Sequence, residues 1–251
     1  MRSRYWSSAA AALLVSTLVG CGGGGAARPV AFPDPGGPLD ATRHVLAQSS
    51  TSRLERVSFR GAGGKPVEAY LAVSRRPGPH PAVVFLTGSN GSMADLAPSA
   101  IDFADHGGVG LSIQQPNDAA TWAPVVVNVR RALDFLAARS DVDPKRLGIA
   151  GLSLGAETAA IVAGVDPRPR AFALMSCRGR LVVLHYLHYA RGDSFYVQVG
   201  ELGTVVPHHQ LLLTIRAIKA LHEPLRVKWY RTDISSRMPP TRARSTGCAA
   251  S

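Results

Sequence analysis

What this sequence has little of narrows its class before any motif is read. Its three cysteines, Cys21, Cys177 and Cys248, cannot build a disulfide framework, and their spacing carries no zinc signature. Aromatic residues make up 6% of the chain, and 25 glycines with 18 prolines stay below the share that marks low complexity, which excludes collagen, coiled coil and repeat array. No apolar run approaches the ~20 residues that a membrane-spanning helix needs. What is present, 46% hydrophobic and 18% charged residues over 251 positions, is enough to bury one real core.

Acid is scarce too: 17 Asp and Glu stand against 28 Lys and Arg, a formal charge of +11. The excess gathers at the ends. Arg2 and Arg4 lie at the start, and Arg237, Arg242 and Arg244 lie in a tail, residues 234–251, with no acidic residue. Setting these aside leaves a modestly basic body with no aromatic-interleaved basic stripe. No nucleic-acid partner is expected.

Two positive charges at Arg2 and Arg4, a short apolar stretch over residues 9–19 and then Leu18-Val19-Gly20-Cys21 read as a secretory signal. Leu-Val-Gly followed at once by cysteine resembles the lipobox of bacterial lipoproteins. The resemblance implies that Cys21 becomes the mature N-terminus and carries a diacylglyceryl group on sulfur, so an extracytoplasmic, lipid-anchored place in the cell envelope is expected. The glycines at 22–25 and the Pro/Gly-rich stretch through Pro38 have no periodicity, as a tether would. The expected organisation is a signal peptide over 1–20, a tether over 21–50, a folded body over 51–233 and an aberrant or disordered tail over 234–251.

From Arg53 the pattern becomes periodic. Val57 and Phe59 alternate with polar residues, a glycine turn follows at 61–64, and Val67, Ala69, Leu71 and Val73 alternate again, which reads as an antiparallel hairpin. After Pro81 short apolar runs (82–86, 109–113, 147–150, 171–175, 195–199, 225–230) read as buried strands, and helix candidates fall at 93–106, 119–139, 156–163 and 209–221. Strands apolar throughout and separated by helices predict an α/β fold: a mostly parallel eight-stranded sheet covered by helices on both faces.

One motif carries chemistry. Gly151-Leu152-Ser153-Leu154-Gly155 stands at the end of an apolar strand and the start of an alanine-rich helix. A serine in so tight a strand-to-helix turn needs small neighbours, and the turn lifts its hydroxyl above the sheet, beside the helix N-terminus whose amides and dipole favour an oxyanion. Ser153 is the candidate nucleophile. The glycine-bearing loop Thr87-Gly88-Ser89-Asn90-Gly91 fits the second half of an oxyanion hole, with the backbone N–H groups of Ser89 and Leu154 as candidate donors.

With these residues in view, the chain resembles the α/β-hydrolase superfamily, most closely its dienelactone-hydrolase-like and acyl-esterase branch. The resemblance runs over roughly residues 53–233. It rests on Pro81-Ala82-Val83-Val84-Phe85-Leu86-Thr87-Gly88, Arg131-Ala132-Leu133-Asp134-Phe135-Leu136, Val142-Asp143-Pro144-Lys145-Arg146 and the turn extended through Ala156-Glu157. It implies hydrolysis of a small-molecule acyl ester or thioester through a Ser-His-Asp triad and an acyl-enzyme, with no metal and no organic cofactor.

The triad departs from that pattern in two places. Where the family carries its acid, in a form like Gly-Glu-x-Asp-x-x-x-Pro, this chain reads Gly200-Glu201-Leu202-Gly203-Thr204-Val205-Val206-Pro207, leaving Glu201 as the candidate acid. Where histidine should follow the last strand stands Ile234, and all eight histidines precede it. His208 and His209, opening a helix beside the acid loop, are the candidate bases. A serine without a base is a poor nucleophile. The tail beyond Ile234 also lacks the apolar periodicity of a closing helix, so that helix is expected to be missing. Two functions compete: an envelope-anchored serine hydrolase, and a catalytically dead hydrolase-like lipoprotein that binds a ligand or is the product of a frameshift.

Overall fold

A computed structural model describes Phe32 and residues 36–116, 122–190, 194–203 and 205–231. Among the described residues nine strands form one sheet: β1 (Thr42–Gln48), β2 (Ser52–Arg60), β3 (Pro66–Ser74), β4 (His80–Leu86), β5 (Val109–Ile113), β6 (Val142–Leu152), β7 (Pro169–Met175), β8 (Ser194–Gly200) and β9 (Leu225–Tyr230). Their order is β1-β2-β3-β5-β4-β6-β7-β8-β9. The first three strands pair antiparallel, β3 meets β5 antiparallel, and every pairing from β5 to β9 is parallel.

The expected sheet is thus one strand short. β1 lies inside the stretch read as tether, so the folded body begins by Thr42. Every β1 side chain is exposed, so no hydrophobic alternation marked it in the sequence; its backbone pairing with β2 makes it a strand, and a bulge between Val45 and Ala47 breaks the edge.

Among the described residues five α-helices connect the strands: α1 (Met93–Asp105), α2 (Trp122–Ala137), α3 (Leu154–Val165), α4 (Leu181–Leu187) and α5 (His208–Ala220). A capping box closes the start of α1: Ser92 accepts from the Ala94 amide, and the Asp95 carboxylate accepts from the Ser92 amide at 2.8 Å. α4 escaped the sequence reading because Leu181-Val182-Val183-Leu184 has strand-like composition, but Val183 and Leu187, four apart, bury one helical face. The larger core lies under α2 to α5 and includes Val129, Leu133, Ile161, Phe172 and Ile215; a smaller one under α1 joins Ala72, Phe85, Leu96 and Ala100.

Beside α1 a trough of about 710 Å³ runs over the sheet, lined by Phe85, Phe103, Ala150, Ala173 and Tyr196 among others. The expectation of a missing closing helix falls on residues 232–251, which lie outside the described residues.

Candidate active site

The parallel strands all end at one edge, and the chain's backbone strain collects there. Of the five non-glycine residues with positive φ among the described residues, three lie in the turns after these strands: Asn90 (φ 61) in the loop after β4, Ser153 (φ 51) directly after β6 and Ser176 (φ 51) directly after β7. A residue held in such a conformation costs ~1–3 kcal/mol and persists only where its surroundings impose it. At Ser153 (φ 51, ψ −113) the surroundings are evident. A methyl on Gly151 would lie 2.3 Å from the Gly155 carbonyl oxygen, and one on Gly155 would lie 2.2 Å from that of Leu86. β6, α3 and β4 therefore close on each other through glycine alone, while the Ser153 amide donates to the Met175 carbonyl at 2.8 Å.

Ser153 is half-buried at the N-terminal end of α3, and its own side chain does not cap that helix. The two candidate oxyanion donors flank it. Leu154 opens α3, where the first amides have no partner within the helix. Gly88 passes close enough that a methyl there would stand 3.5 Å from the Ser153 Cβ, and Ser89 follows it, exposed, in the loop before α1. Neither the Leu154 nor the Ser89 amide donates to another group among the described residues, so both can turn to an oxyanion.

Glu201 follows β8 at the same edge, two strands from Ser153 or ~10 Å along the sheet. It is exposed, and its amide donates to the Tyr230 carbonyl at 2.9 Å. His208 and His209 open α5, both exposed. The His208 ring stands edge-on to Trp229, with centroids 6.1 Å apart, and His209 Nε2 lies 3.2 Å from Gln210 Nε2. The fold thus brings candidate nucleophile, candidate acid and candidate bases to one edge without joining them: no hydrogen bond links Ser153 to a histidine or carboxylate side chain among the described residues. Cys21 and Ile234 lie outside those residues.

The sequence reading assigned no role to a buried charge cluster behind the nucleophile. Glu157, one turn into α3 and 1% exposed, faces Arg180 Nε at 3.0 Å and Arg178 Nε at 3.8 Å, both from the loop after β7. The nearer contact is not aligned as a hydrogen bond, so its attraction is coulombic. Burial raises the Glu157 carboxyl above its ordinary range, and the two guanidinium groups offset only part of that. Cys177, directly before Arg178 in sequence, is fully buried; desolvation and then the Glu157 charge raise its thiol far above the usual range, which makes it inert. The available signal was Arg178-Gly179-Arg180 placed directly after an apolar strand. Thr87, in the oxyanion loop, is buried with its hydroxyl unpartnered among the described residues.

Among the described residues, no group of three or more His, Cys, Asp or Glu is placed to hold a metal ion, and no helix is long and apolar enough to cross a membrane.

A mostly parallel sheet, helices on both faces and a strained serine between β6 and α3 define the α/β-hydrolase fold, and solved structures agree. An acetyl xylan esterase from Paenibacillus sp. R4 superimposes with a TM-score of 0.63 at 19% identity, covering 77% of this chain and 83% of that one. An esterase from Pyrobaculum calidifontis gives 0.61 at 18%, covering 71% and 75%. A protein from Klebsiella pneumoniae, provisionally assigned as a dienelactone hydrolase, gives 0.59 at 15%, covering 77% and 86%. No protein-family profile matches the chain, and no curated protein matches it by sequence.

Proposed function

We propose that this chain is a serine hydrolase of small carboxylic esters or thioesters, working through an acyl-enzyme on Ser153 and held in the cell envelope by a lipid on Cys21. The observation that carries the catalytic half is the Ser153 backbone, kept at φ 51 by glycine packing that serves no evident purpose except to present the hydroxyl beside two unengaged amides. Attack by the hydroxyl oxygen on the acyl carbon places negative charge on the carbonyl oxygen, between the Leu154 and Ser89 amides and on the axis of α3. The departing alcohol or thiol takes a proton, and water then releases the acid. Two of the similar structures are esterases, which supports an ester as the bond broken.

The same observations set the rate low. The hydroxyl proton must go to a base, and with no imidazole bonded to Ser153 the oxyanion donors and substrate binding supply most of the acceleration. That detachment, with Gly203 and Ile234 at the acid and base positions, favours a second reading: a hydrolase-like lipoprotein that binds acyl compounds without turning them over, or the product of a frameshift before residue 234.

A fluorophosphonate probe separates the two. Labelling of the purified protein that disappears in Ser153→Ala supports the hydrolase; absence of labelling with unchanged circular dichroism supports the binding protein. Labelling that survives in Ser153→Ala overturns the choice of nucleophile.

A further inference from the structure

The two arginines that flank Glu157 lack what other arginine–carboxylate pairs of this chain have. Arg168 holds Asp166 through two nitrogens, at 2.6 and 2.9 Å, and Arg139 holds Asp141 in the same way, at 2.6 and 2.8 Å. Arg178 and Arg180 instead approach Glu157 with Nε, at 3.8 Å to Oε1 and 3.0 Å to Oε2, and neither guanidinium makes a hydrogen bond among the described residues. Glu157 Oε2 and Arg178 Nε are buried and unpartnered, while the four terminal nitrogens of the two arginines, equally unpartnered, reach solvent. A pair whose only task was to hold the loop would be aligned, because unsatisfied buried polar groups cost free energy.

Topology puts this cluster at the Ser153 end of the sheet. The loop starts directly after β7, and the Ser153 amide donates to the carbonyl of Met175, the last residue of that strand, at 2.8 Å. Glu157 lies one turn, ~6 Å, along α3 from Ser153. Gly179, between the two arginines, is pressed onto the first turn of α5: its amide donates to the Gln210 carbonyl at 2.9 Å, and a methyl there would lie 2.5 Å from the Leu213 Cβ. With Gly179 set against α5, Arg178 and Arg180, two residues apart, both reach Glu157 on α3.

Two cations therefore share one carboxyl, and burial, which raises that carboxyl above its ordinary range, thins the negative charge they share. A guanidinium with unengaged terminal N–H groups recognises an oxyanion through forked hydrogen bonds. One fork already matches both oxygens of a carboxylate. Two forks beside the two oxygens of a single Glu157 exceed that need, and they match the three acceptor oxygens and near-double charge of a phosphate monoester.

We propose that Arg178 and Arg180 form an anion subsite beside Ser153, and that it takes a phosphate monoester group carried by the ester or thioester substrate. The substrate class rests on the hydrolase reading; the anion site does not.

Calorimetry of the purified protein with phenyl phosphate, benzoate and benzamide tests the site without turnover. Phenyl phosphate should bind about tenfold tighter than benzoate or better, and benzamide should not bind. Arg178→Gln and Arg180→Gln should each weaken phenyl phosphate about tenfold, whereas Arg170→Gln, at the far end of β7, should leave it unchanged. Glu157→Gln should tighten it severalfold, because the carboxylate competes for the same two cations; a weakened or unchanged affinity overturns that shared arrangement. Should a Gln variant lose the native circular dichroism, Lys at the same position keeps the charge facing Glu157, gives up the fork and should still weaken binding. Benzoate bound as tightly as phenyl phosphate overturns the phosphate class. No binding to folded wild type, or equal binding by wild type and both arginine variants, overturns the site. Saturating phenyl phosphate should then slow fluorophosphonate labelling of Ser153 in wild type and not in Arg178→Gln. Labelling that phenyl phosphate leaves unslowed overturns the placement beside Ser153; absence of labelling removes the hydrolase reading and the substrate with it, while calorimetry still decides the anion site.

Discussion

Glu157 and Ser153 are joined through the backbone and divided by environment: the Glu157 amide donates to the Ser153 carbonyl at 3.0 Å, one side chain is half-open at the sheet edge and the other is 1% exposed. The start of α3 thus presents a hydroxyl outward and ties a carboxylate to Arg178 and Arg180 inward, fixing the loop that follows β7 against the helix that Ser153 opens.

Glu157→Gln should change how stability depends on pH. Burial raises this carboxyl above its ordinary value of 4.5, so in the folded state it holds its proton to higher pH than in the unfolded chain. Its contribution to stability is therefore fully present below the unfolded value and declines as pH rises through the folded one. Urea denaturation from ~pH 4 to ~7 is expected to show wild type losing stability relative to Glu157→Gln. A constant difference across that range would place the carboxyl in a solvent-like site.

Asp166→Asn should act with the opposite sign. Burial alone would raise this carboxyl, but hydrogen bonds and charge from Arg168, with help from Arg130, bring it below its ordinary value of 3.8. It stabilises the fold above that value and ceases to do so as pH falls through the lowered one. The variant should lose about 2 kcal/mol at neutral pH, the scale of charge-assisted hydrogen bonds, and the deficit should shrink in acid. Chemical denaturation at two pH values measures both.

Gly155→Ala adds one methyl at the tightest point of the elbow, 2.2 Å from the Leu86 carbonyl oxygen. Backbone has to move, and a loss of about 2 kcal/mol or more is expected, with reduced probe labelling of Ser153. Full stability and full labelling would show that α3 and β4 are not closed on each other as described.

Cys21→Ser should move the protein from the detergent-extracted to the soluble fraction of cells, because two acyl chains hold a protein on a membrane where one does so only marginally. Equal recovery of both forms in the soluble fraction would remove the anchor.

Restoring Gly203→Asp together with Ile234→His should raise hydrolysis of short aryl esters far more than either change alone, since an acid has nothing to orient without the imidazole and an imidazole without the acid adopts the wrong tautomer. Additive or absent gains, at matched circular dichroism, would count against that placement of the triad.

The sequence by itself determined the parallel body and the serine turn between β6 and α3. The runs at 109–113 and 225–230 became β5 and β9 with unchanged bounds, β5 because it is buried along its whole length and β9 because Leu225 and Val227 alternate with exposed Arg226 and Lys228, and Gly151-x-Ser153-x-Gly155 announced its turn because only glycine tolerates that approach. Only tertiary structure decided the rest. β1 is held by backbone pairing and α4 by two buried residues, neither of which leaves a strong pattern. Phe32 and Gly37, ahead of β1, are held by Arg130 and Arg131, which meet their carbonyls from more than ninety residues away in sequence. Glu157 with Arg178 and Arg180 became a buried cluster because α3 and the loop after β7 close over them. Charges enter such a site through their partners and not through any local spacing, so a single chain read in order does not reveal which of its many arginines have been taken out of water.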